Sequence, residues 1–377
     1  MKLVFKILLA LIVVIIATLV ALPFLLEKNI DKIIHHATDG KLNAELSYTD
    51  IDLSLIKRFP KAYVDVKDFK LLNKAPFKND TLFYAGDIKA SFSFMQLFKD
   101  TDSKALKIDK IRLDDAVVKI ITNTKGEANY DIAIPNDASE TPKEQTADKE
   151  GSSPFELNLD YEINNTKFVY LDSVSHVYVQ VDKLYHSGKG NVSAAITDLD
   201  TKTDLELSYA MGGIEYTHNM PINLRALIAA DLENQKYTFK ENEGHLNQIP
   251  LQFEGWVQML DDATDMDLSF KSGNASFKHL LASIPNTYKK DMKGVSAQGT
   301  FDLHGTVKGK STDHLMPTLD ISLVTNNASF KYPDLPKGIK NIDLNTQVIN
   351  KTGKLKDLYV NLNKFCLLYT SPSPRDA

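Results

Sequence analysis

The chain has 377 residues, of which 43% are hydrophobic and 25% charged, enough for two or three domains with a sizeable core. Lysine and arginine total 44 against 49 aspartates and glutamates, which gives a net charge of −5. The basic residues form no stripe along the sequence, so nucleic acid is not an expected partner. The single cysteine, Cys366, excludes an intrachain disulfide, so stability must come from the core and the backbone hydrogen bonds.

Residues 7–26 form an uncharged apolar run that predicts a single transmembrane helix. At about 1.5 Å per residue the run spans about 30 Å, the hydrocarbon thickness of a bilayer. Lys2 and Lys6 precede it, which favours a cytoplasmic N-terminus and places the rest of the chain across the membrane. The large apolar residues of this anchor are Ile7, Leu8, Leu9, Leu11, Ile12, Val13, Val14, Ile15, Ile16, Leu19, Val20, Leu22, Phe24, Leu25 and Leu26.

A cleaved signal peptide is the alternative interpretation of the same run. Signal peptides have a shorter apolar core and small residues before the cleavage site. The best cut, after Ala21, has Leu19 two places before it, and the apolar run is longer than the usual core. The sequence therefore favours an uncleaved anchor.

A short helix and then a β domain are predicted after the anchor. Ile30, Ile33, Ile34 and Ala37 recur at helical spacing before Gly40, so residues 1–40 are expected to comprise the anchor and a short amphipathic helix. Residues 41–135 carry β-branched and aromatic runs at 63–72, 82–98 and 106–122, which predict a first β domain.

Residues 136–153 are rich in serine, threonine, glutamate and lysine and contain no large apolar residue. Such a composition cannot bury a core, so we expect a disordered linker and the main internal boundary here.

Residues 154–365 alternate between apolar and polar side chains, which predicts a sheet with one apolar and one wet face. Gly212-Gly213 and Asn326-Asn327 are expected to be turns between strands. One helix is predicted where Phe277, Leu280, Leu281 and Ile284 recur before Pro285, and it should cover the sheet. The apolar members of the alternation include Leu157, Leu159, Val177, Val179, Leu205, Leu207, Leu319, Ile321, Ile342 and Leu344.

The last segment, residues 366–377, breaks the strand pattern at Phe365 and resembles a translated sequencing adapter. We expect it to be non-native and to pack against nothing, with natural sequence continuing beyond Phe365; a natural Ser/Pro-rich tail is the alternative.

No enzyme signature is found in the sequence. The pairs Asp114-Asp115 and Asp261-Asp262 look like turn residues, and adjacent carboxylates on a strand would point to opposite faces. Trp256 is expected to pack in the sheet. HExxH, CxxC and P-loop motifs are lacking, so no catalytic residue, metal or cofactor is expected and the protein is predicted not to be an enzyme.

The order of segments resembles the AsmA family of bacterial envelope proteins. The matching pieces are the single N-terminal anchor and residues 80–99, 108–132, 275–309 and 317–350. The resemblance implies a mostly β fold in which an N-terminal transmembrane helix precedes an elongated, curved antiparallel β-sheet groove with a few short helices. It also implies a relation to bridge-like lipid transfer proteins, anchorage in the bacterial inner membrane, a periplasmic body and a role in outer-membrane lipid homeostasis.

Two functions follow from this resemblance and the residue pattern. In the first, the ten apolar residues named from the alternation line an open groove that shelters phospholipid acyl chains on their way to the outer membrane. In the second, the apolar faces fill one another as in a closed β-sandwich, and the protein is a membrane-tethered scaffold that helps outer-membrane proteins assemble. The expected partners are the inner membrane, phospholipid and other envelope proteins.

Overall fold

A computed structural model describes residues 42–54, 61–93, 106–132, 155–191, 196–231, 233–260, 262–282, 294–312, 315–334 and 337–369. The contacts divide the chain into two units, Met1–Val174 and Ser175–Ala377. Among the described residues, no helix is long and apolar enough to cross a bilayer. The predicted anchor, amphipathic helix and linker lie outside these residues, and the domain boundaries drawn around them stay predictions.

Unit 1 is built almost entirely from strands. Its strands are β1 (Ala44–Ser47), β2 (Asp50–Ser54), β3 (Lys61–Asn73), β4 (Thr81–Ser93), β5 (Leu106–Thr122) and β6 (Phe155–Asp172). Strands β1 and β2 both pair with β3, and β3, β4 and β5 follow as an antiparallel meander. The sequence-predicted strands of this region are confirmed to within a few residues.

The β5–β6 pair is parallel and is an exception to the predicted, mostly antiparallel pairing. Residues 123–154 separate the two strands. A connection of this length lets the chain return to the N-terminal end of β5, so that β6 runs in the same direction as β5. An antiparallel neighbour would require only a tight turn. The fold is therefore mostly β, with a mixed sheet.

Unit 2 is an antiparallel meander with one helix. Its elements are β7 (Val177–Asn191), β8 (Ile196–Met211), β9 (Ile214–Asp231), β10 (Lys236–Leu246), β11 (Ile249–Met259), β12 (Thr264–Lys271), β13 (Ala275–Ser276), α1 (Phe277–Ala282), β14 (Ser296–Ser311), β15 (Thr318–Lys331), β16 (Ile339–Asn350) and β17 (Leu358–Tyr369). Each long strand from β7 to β17 pairs with the next, and β14 pairs with both β12 and the short β13.

Residues with left-handed backbone angles interrupt several strands without ending them. Asp115 (φ 52°) and Asn165 (φ 48°) lie within β5 and β6, and Asn327 (φ 47°) lies within β15. The predictions of turns at Asp114-Asp115 and Asn326-Asn327 are therefore wrong. Asp and Asn tolerate the left-handed region at a strand irregularity as well as in a turn, so their presence does not distinguish the two. Gly212-Gly213, by contrast, is the predicted turn between β8 and β9.

These irregularities keep the apolar residues on one face. On β7, Asp182 pairs with Glu206 and Tyr185 with Asp204, so β7 carries one residue more than β8 at the left-handed Lys183. The extra residue shifts the alternation of β7 by one place, because side chains alternate with period 2.

The helix α1 covers one part of the unit 2 sheet, as predicted. Its residues Leu280 and Leu281 pack against two buried clusters. One cluster contains Ile249, Ala275 and Phe301, and the other contains Phe277, Ala328 and Ile342. These clusters are the apolar core of unit 2.

Strand β17 extends through Tyr369, so the expectation that residues 366–377 contact nothing is wrong for its first four residues. Cys366 pairs with Asp343 and Leu368 with Lys340 of β16. Backbone hydrogen bonds at a sheet edge do not depend on side-chain identity, so pairing continues past the change in sequence pattern. The side chains of Phe365, Leu367 and Leu368 are exposed.

Candidate functional site: the apolar face of unit 2

The apolar side chains of unit 2 collect on one face of its sheet. Residues directly opposite each other in an antiparallel pair share a face. Leu205 pairs with Ile222 and Leu207 with Met220, and the pattern continues strand by strand to Ile321 and Val348. We define the apolar face by Leu205, Leu207, Met220, Ile222, Leu224, Leu251, Phe253, Leu268, Phe270, Val307, Leu319 and Ile321.

The side chains of the apolar face are half-buried. Among the described residues of unit 2, the large apolar side chains that are fully buried are Ile249, Phe277, Phe301 and Ile342, and all four belong to the clusters beneath α1. The inner face of a β-sandwich would bury its large residues throughout. Beyond the part covered by α1, the apolar face therefore remains accessible to an apolar ligand.

The structure places most of the predicted groove residues on this face. Val177 and Val179 of β7 lie opposite Met211 and Tyr209, beside Leu205 and Leu207 of β8. Leu319 and Ile321 of β15 lie opposite Asn350 and Val348 of β16, the strand that also carries Ile342 and Leu344.

Three predicted residues differ from this description. Ile342 is only 6% exposed beneath α1, so it belongs to the core rather than to an accessible surface. Leu157 and Leu159 lie in β6 of unit 1, where the backbone of Leu157 pairs with Ile108, and their side chains fall outside the description.

The middle of the apolar face was missed by the sequence prediction. Met220, Ile222 and Leu224 of β9 alternate as clearly as the residues of β8, and this pattern was sufficient to find them. Phe253 and Phe270 form a cross-strand pair of β11 and β12 on the same face. The irregularity at residues 240–242 of β10 disturbs the alternation there. The sequence does not reveal this irregularity, which is visible only in the pairing of β10 with β11.

One titratable group on this face, His186, is expected to be neutral. His186 lies opposite Thr203, and its Nδ1 is 2.8 Å from the threonine hydroxyl. Burial lowers the pKa of His186 below its ordinary value of 6.5 because the charged imidazolium is poorly solvated there. The imidazole therefore adds no charge to the apolar face at neutral pH.

The two carboxylates of the Asp114-Asp115 pair bind different partners. Asp114 accepts hydrogen bonds from Arg112 and Asn164, whereas Asp115 accepts one from Asn165, so the two have different partners. Asp262 is exposed in the turn after β11, and Asp261 lies outside the described residues. Within the described ranges, no group of three or more histidine, cysteine or acidic side chains is arranged to hold a metal ion.

Comparison with known proteins agrees with this architecture. The AsmA family model matches residues 1–352. The chain belongs to the AsmA family. Searches of curated proteins and of solved structures found no match. Family membership thus covers both units, and the specific function has to be argued from the geometry.

Proposed function

We propose that this AsmA family protein is anchored in the bacterial inner membrane and shelters phospholipid acyl chains on the apolar face of unit 2, for transport toward the outer membrane. The observation that carries the proposal is the half-burial of large apolar side chains across the sheet outside the patch covered by α1. Family membership supports the envelope setting.

The physical reason for such a device is the cost of exposing acyl chains to water. Each CH₂ group exposed costs about 0.8 kcal/mol, so a long acyl chain costs on the order of 10 kcal/mol. An apolar sheet face removes this cost without an acid, a base or a metal. The polar opposite face keeps the same sheet soluble in the periplasm.

Photo-crosslinking from the apolar face tests the proposal. A diazirine amino acid is placed at Leu207, Phe253 or Ile321 of the full chain in cell membranes, and the adducts are identified by mass spectrometry. Phospholipid adducts at all three positions are expected, because these residues lie on strands that span the face. The same probe at Leu227, on the opposite face of β9, is the matched control and should give no lipid adduct.

The scaffold function predicts a different outcome. Protein adducts alone at the three positions, or no adduct from a correctly folded chain, would contradict lipid sheltering. Equal lipid labelling at Leu227 would show that the probe reports the nearby bilayer rather than the apolar face.

A further inference from the structure

The hairpin formed by β8 and β9 extends beyond the end of the neighbouring strand β10. β10 pairs with β9 from Ile222 onward, whereas β8 pairs with β9 from Ile214 onward. A strand rises about 3.3 Å per residue, so the hairpin projects roughly 25 Å past the end of β10. Its last turn is Gly212-Gly213, with left-handed φ angles of 58° and 81°. We call residues 209–216, which form the end of this projection, the hairpin tip.

The hairpin tip exposes apolar side chains. Met211 and Ile214 lie opposite each other across the glycine turn and are 43% and 48% exposed. By contrast, the turn between β10 and β11, at the same end of the sheet, carries Asn247 and Gln248. Turns are strongly solvated and ordinarily carry polar residues, so an apolar pair at the end of a projecting hairpin indicates a surface that replaces water there.

Two tyrosines lie behind this apolar pair. The rings of Tyr209 and Tyr216 stack with their centroids 5.6 Å apart, and Tyr216 is exposed. The Tyr209 hydroxyl donates a hydrogen bond of 3.3 Å to the Met211 sulfur. Tyrosine is enriched where hydrocarbon meets water, because its ring is apolar and its hydroxyl can hydrogen-bond to head groups. An apolar end followed by tyrosines is thus the order of side chains expected across a bilayer interface.

The hairpin tip carries little charge that would oppose contact with a membrane. Glu215 is the one charged residue in the sequence of the tip, and its carboxylate lies 2.9 Å from Nδ1 of His218. Contact with a phospholipid surface would therefore depend on apolar burial and not on attraction to anionic head groups.

The hairpin tip is continuous with the apolar face. Leu207, Tyr209 and Met211 are alternate residues of β8, so they share a face. Val179 and Val177 of β7 lie directly opposite Tyr209 and Met211, in a register that has no irregularity over this stretch. An acyl chain could therefore pass from a bilayer around the tip to the apolar face without crossing water.

A protein partner fits the hairpin tip less well. A stable protein interface takes about 20–30 residues from each partner, far more than the tip supplies. Addition of a strand beside β9 beyond the end of β10 is hindered by the left-handed Asn219 (φ 48°) and by Pro221, which interrupt that edge.

We propose that the hairpin tip inserts into the phospholipid surface of the membrane that carries the N-terminal anchor, and that acyl chains enter the apolar face there. The anchor favours this membrane over any other, because a tether keeps the tip at a high effective concentration near one surface. The entry step rests on the proposed lipid function, whereas the membrane contact follows from the hairpin tip itself.

An environment-sensitive fluorophore measures the insertion. A nitrobenzoxadiazole label is attached to Ile214→Cys in the full chain, with the exposed Cys366 replaced by serine. The chain is reconstituted into phosphatidylcholine liposomes that contain a nitroxide-labelled phospholipid. The label is expected to be quenched and its emission shifted to shorter wavelength, because it lies among the acyl chains. The same label at Gln248→Cys, in the exposed polar turn at the same end of the sheet, is the matched control and should show neither change.

A charge at the hairpin tip tests which side chains cause the insertion. Met211→Asp should lower the equilibrium constant for insertion about tenfold or more, because hydrocarbon contact with one large apolar side chain is lost. Circular dichroism should be unchanged, since Met211 is exposed. Equal quenching at positions 214 and 248, unchanged quenching in the Met211→Asp chain, or quenching only by nitroxide lipid in separate vesicles would each overturn the membrane contact.

Photo-crosslinking at Leu207 separates this proposal from lipid sheltering. If acyl chains enter at the hairpin tip, Met211→Asp should reduce the yield of lipid adducts at Leu207, and an unchanged yield would overturn the entry step. Lipid adducts at Leu207 without quenching at position 214 would contradict the membrane contact while supporting lipid sheltering. Quenching without adducts at Leu207 would support the membrane contact and overturn the entry step together with lipid sheltering.

Discussion

Individual polar side chains complete the backbone hydrogen bonding where the strands of this protein become irregular or end. Asn129, which is almost fully buried, accepts a hydrogen bond from the Ile121 backbone N–H and donates to the Lys119 carbonyl at the end of β5. Asn350 accepts from the Gly353 backbone N–H in the turn before β17. Buried backbone groups need partners, so these residues are structural although their polar side chains look like site residues in the sequence.

Thr325 is the clearest case and gives a stability prediction. Its hydroxyl donates to the Ile342 carbonyl at 3.0 Å and accepts from the Leu344 N–H at 2.9 Å, where the β15–β16 register shifts. Thr325→Val keeps the shape but leaves both backbone groups unpaired, so the free energy of unfolding should fall by about 1–3 kcal/mol. Urea unfolding followed by Trp256 fluorescence measures this. Thr346→Val, which removes an exposed hydrogen bond to Asn361, should cost much less.

Asp114 gives a pH prediction for unit 1. Burial alone would raise its pKa, but hydrogen bonds from Arg112 and Asn164 and the nearby positive charges outweigh this, and the net pKa lies below the ordinary 3.8. A carboxyl group whose pKa is lower in the folded state stabilises the fold above the unfolded pKa, and this stabilisation is lost as the pH falls through the folded pKa.

Asp114→Asn should therefore destabilise unit 1 at pH 7 by about 1–2 kcal/mol, a modest effect because Arg112 is itself half-exposed. The difference between variant and parent should shrink below pH 4, as measured by urea unfolding with circular dichroism. A difference that stays constant from pH 7 to pH 3 would show that the charge of Asp114 is not the cause.

At the scale of elements, left-handed residues within strands determine which side chains share a face. The apolar alternation of β15 changes phase between Thr325 and Ala328, where the register with β14 and β16 shifts at the left-handed Asn327. Gly299 of β14 approaches this point so closely that an added Cβ would lie 2.6 Å from the Ala328 Cα. Two strands therefore share one irregularity, which the sequence displays only as an Asn-Asn pair and a glycine.

The backbone angle of Asn327 can be tested by substitution. Asn327→Gly should leave the free energy of unfolding nearly unchanged, because glycine adopts a φ of 47° without strain. Asn327→Val should lower it by about 1–2 kcal/mol, since a β-branched residue is strained in the left-handed region. Equal stability of the two variants would mean that this position is extended in solution.

At the scale of the whole molecule, the two faces of the unit 2 sheet are chemically distinct surfaces. The helix α1 covers only the part near β13 to β16, and the rest of the apolar face is half-buried. This distribution yields opposite expectations for one charge placed on either face.

Leu207→Asp should block lipid binding while the sheet stays folded, because the Leu207 side chain retains access to solvent. In a closed core, the same change would bury an unpaired charge and unfold the unit at a cost of several kcal/mol. Co-purified phospholipid and circular dichroism of the full chain measure the two outcomes. Leu227→Asp, on the opposite face of β9, is the control and should retain bound lipid; its loss from both variants would contradict a face-specific site.

The membrane topology also belongs to this scale. The uncharged run at 7–26 and the preceding lysines predict that the body of the protein lies in the periplasm. A periplasm-active reporter fused after Leu55 should be active and membrane-bound. Cytoplasmic reporter activity would contradict the predicted topology, and release of a soluble body would indicate a cleaved signal peptide.

The sequence by itself determined that this is a mostly β protein with alternating strands and that a helix near Phe277 covers the sheet, because the periods 2 and 3.6 are local properties of neighbouring residues. Only the tertiary structure decided the parallel β5–β6 pair, the left-handed positions within strands and the alignment of Arg225 with Gln347 across the unit 2 sheet. These features depend on cross-strand register, which is set by residues far apart in the chain. The same reason separates the accessible Leu207 from the buried Ile342: both are apolar members of an alternating strand, and only the packing of α1 distinguishes them.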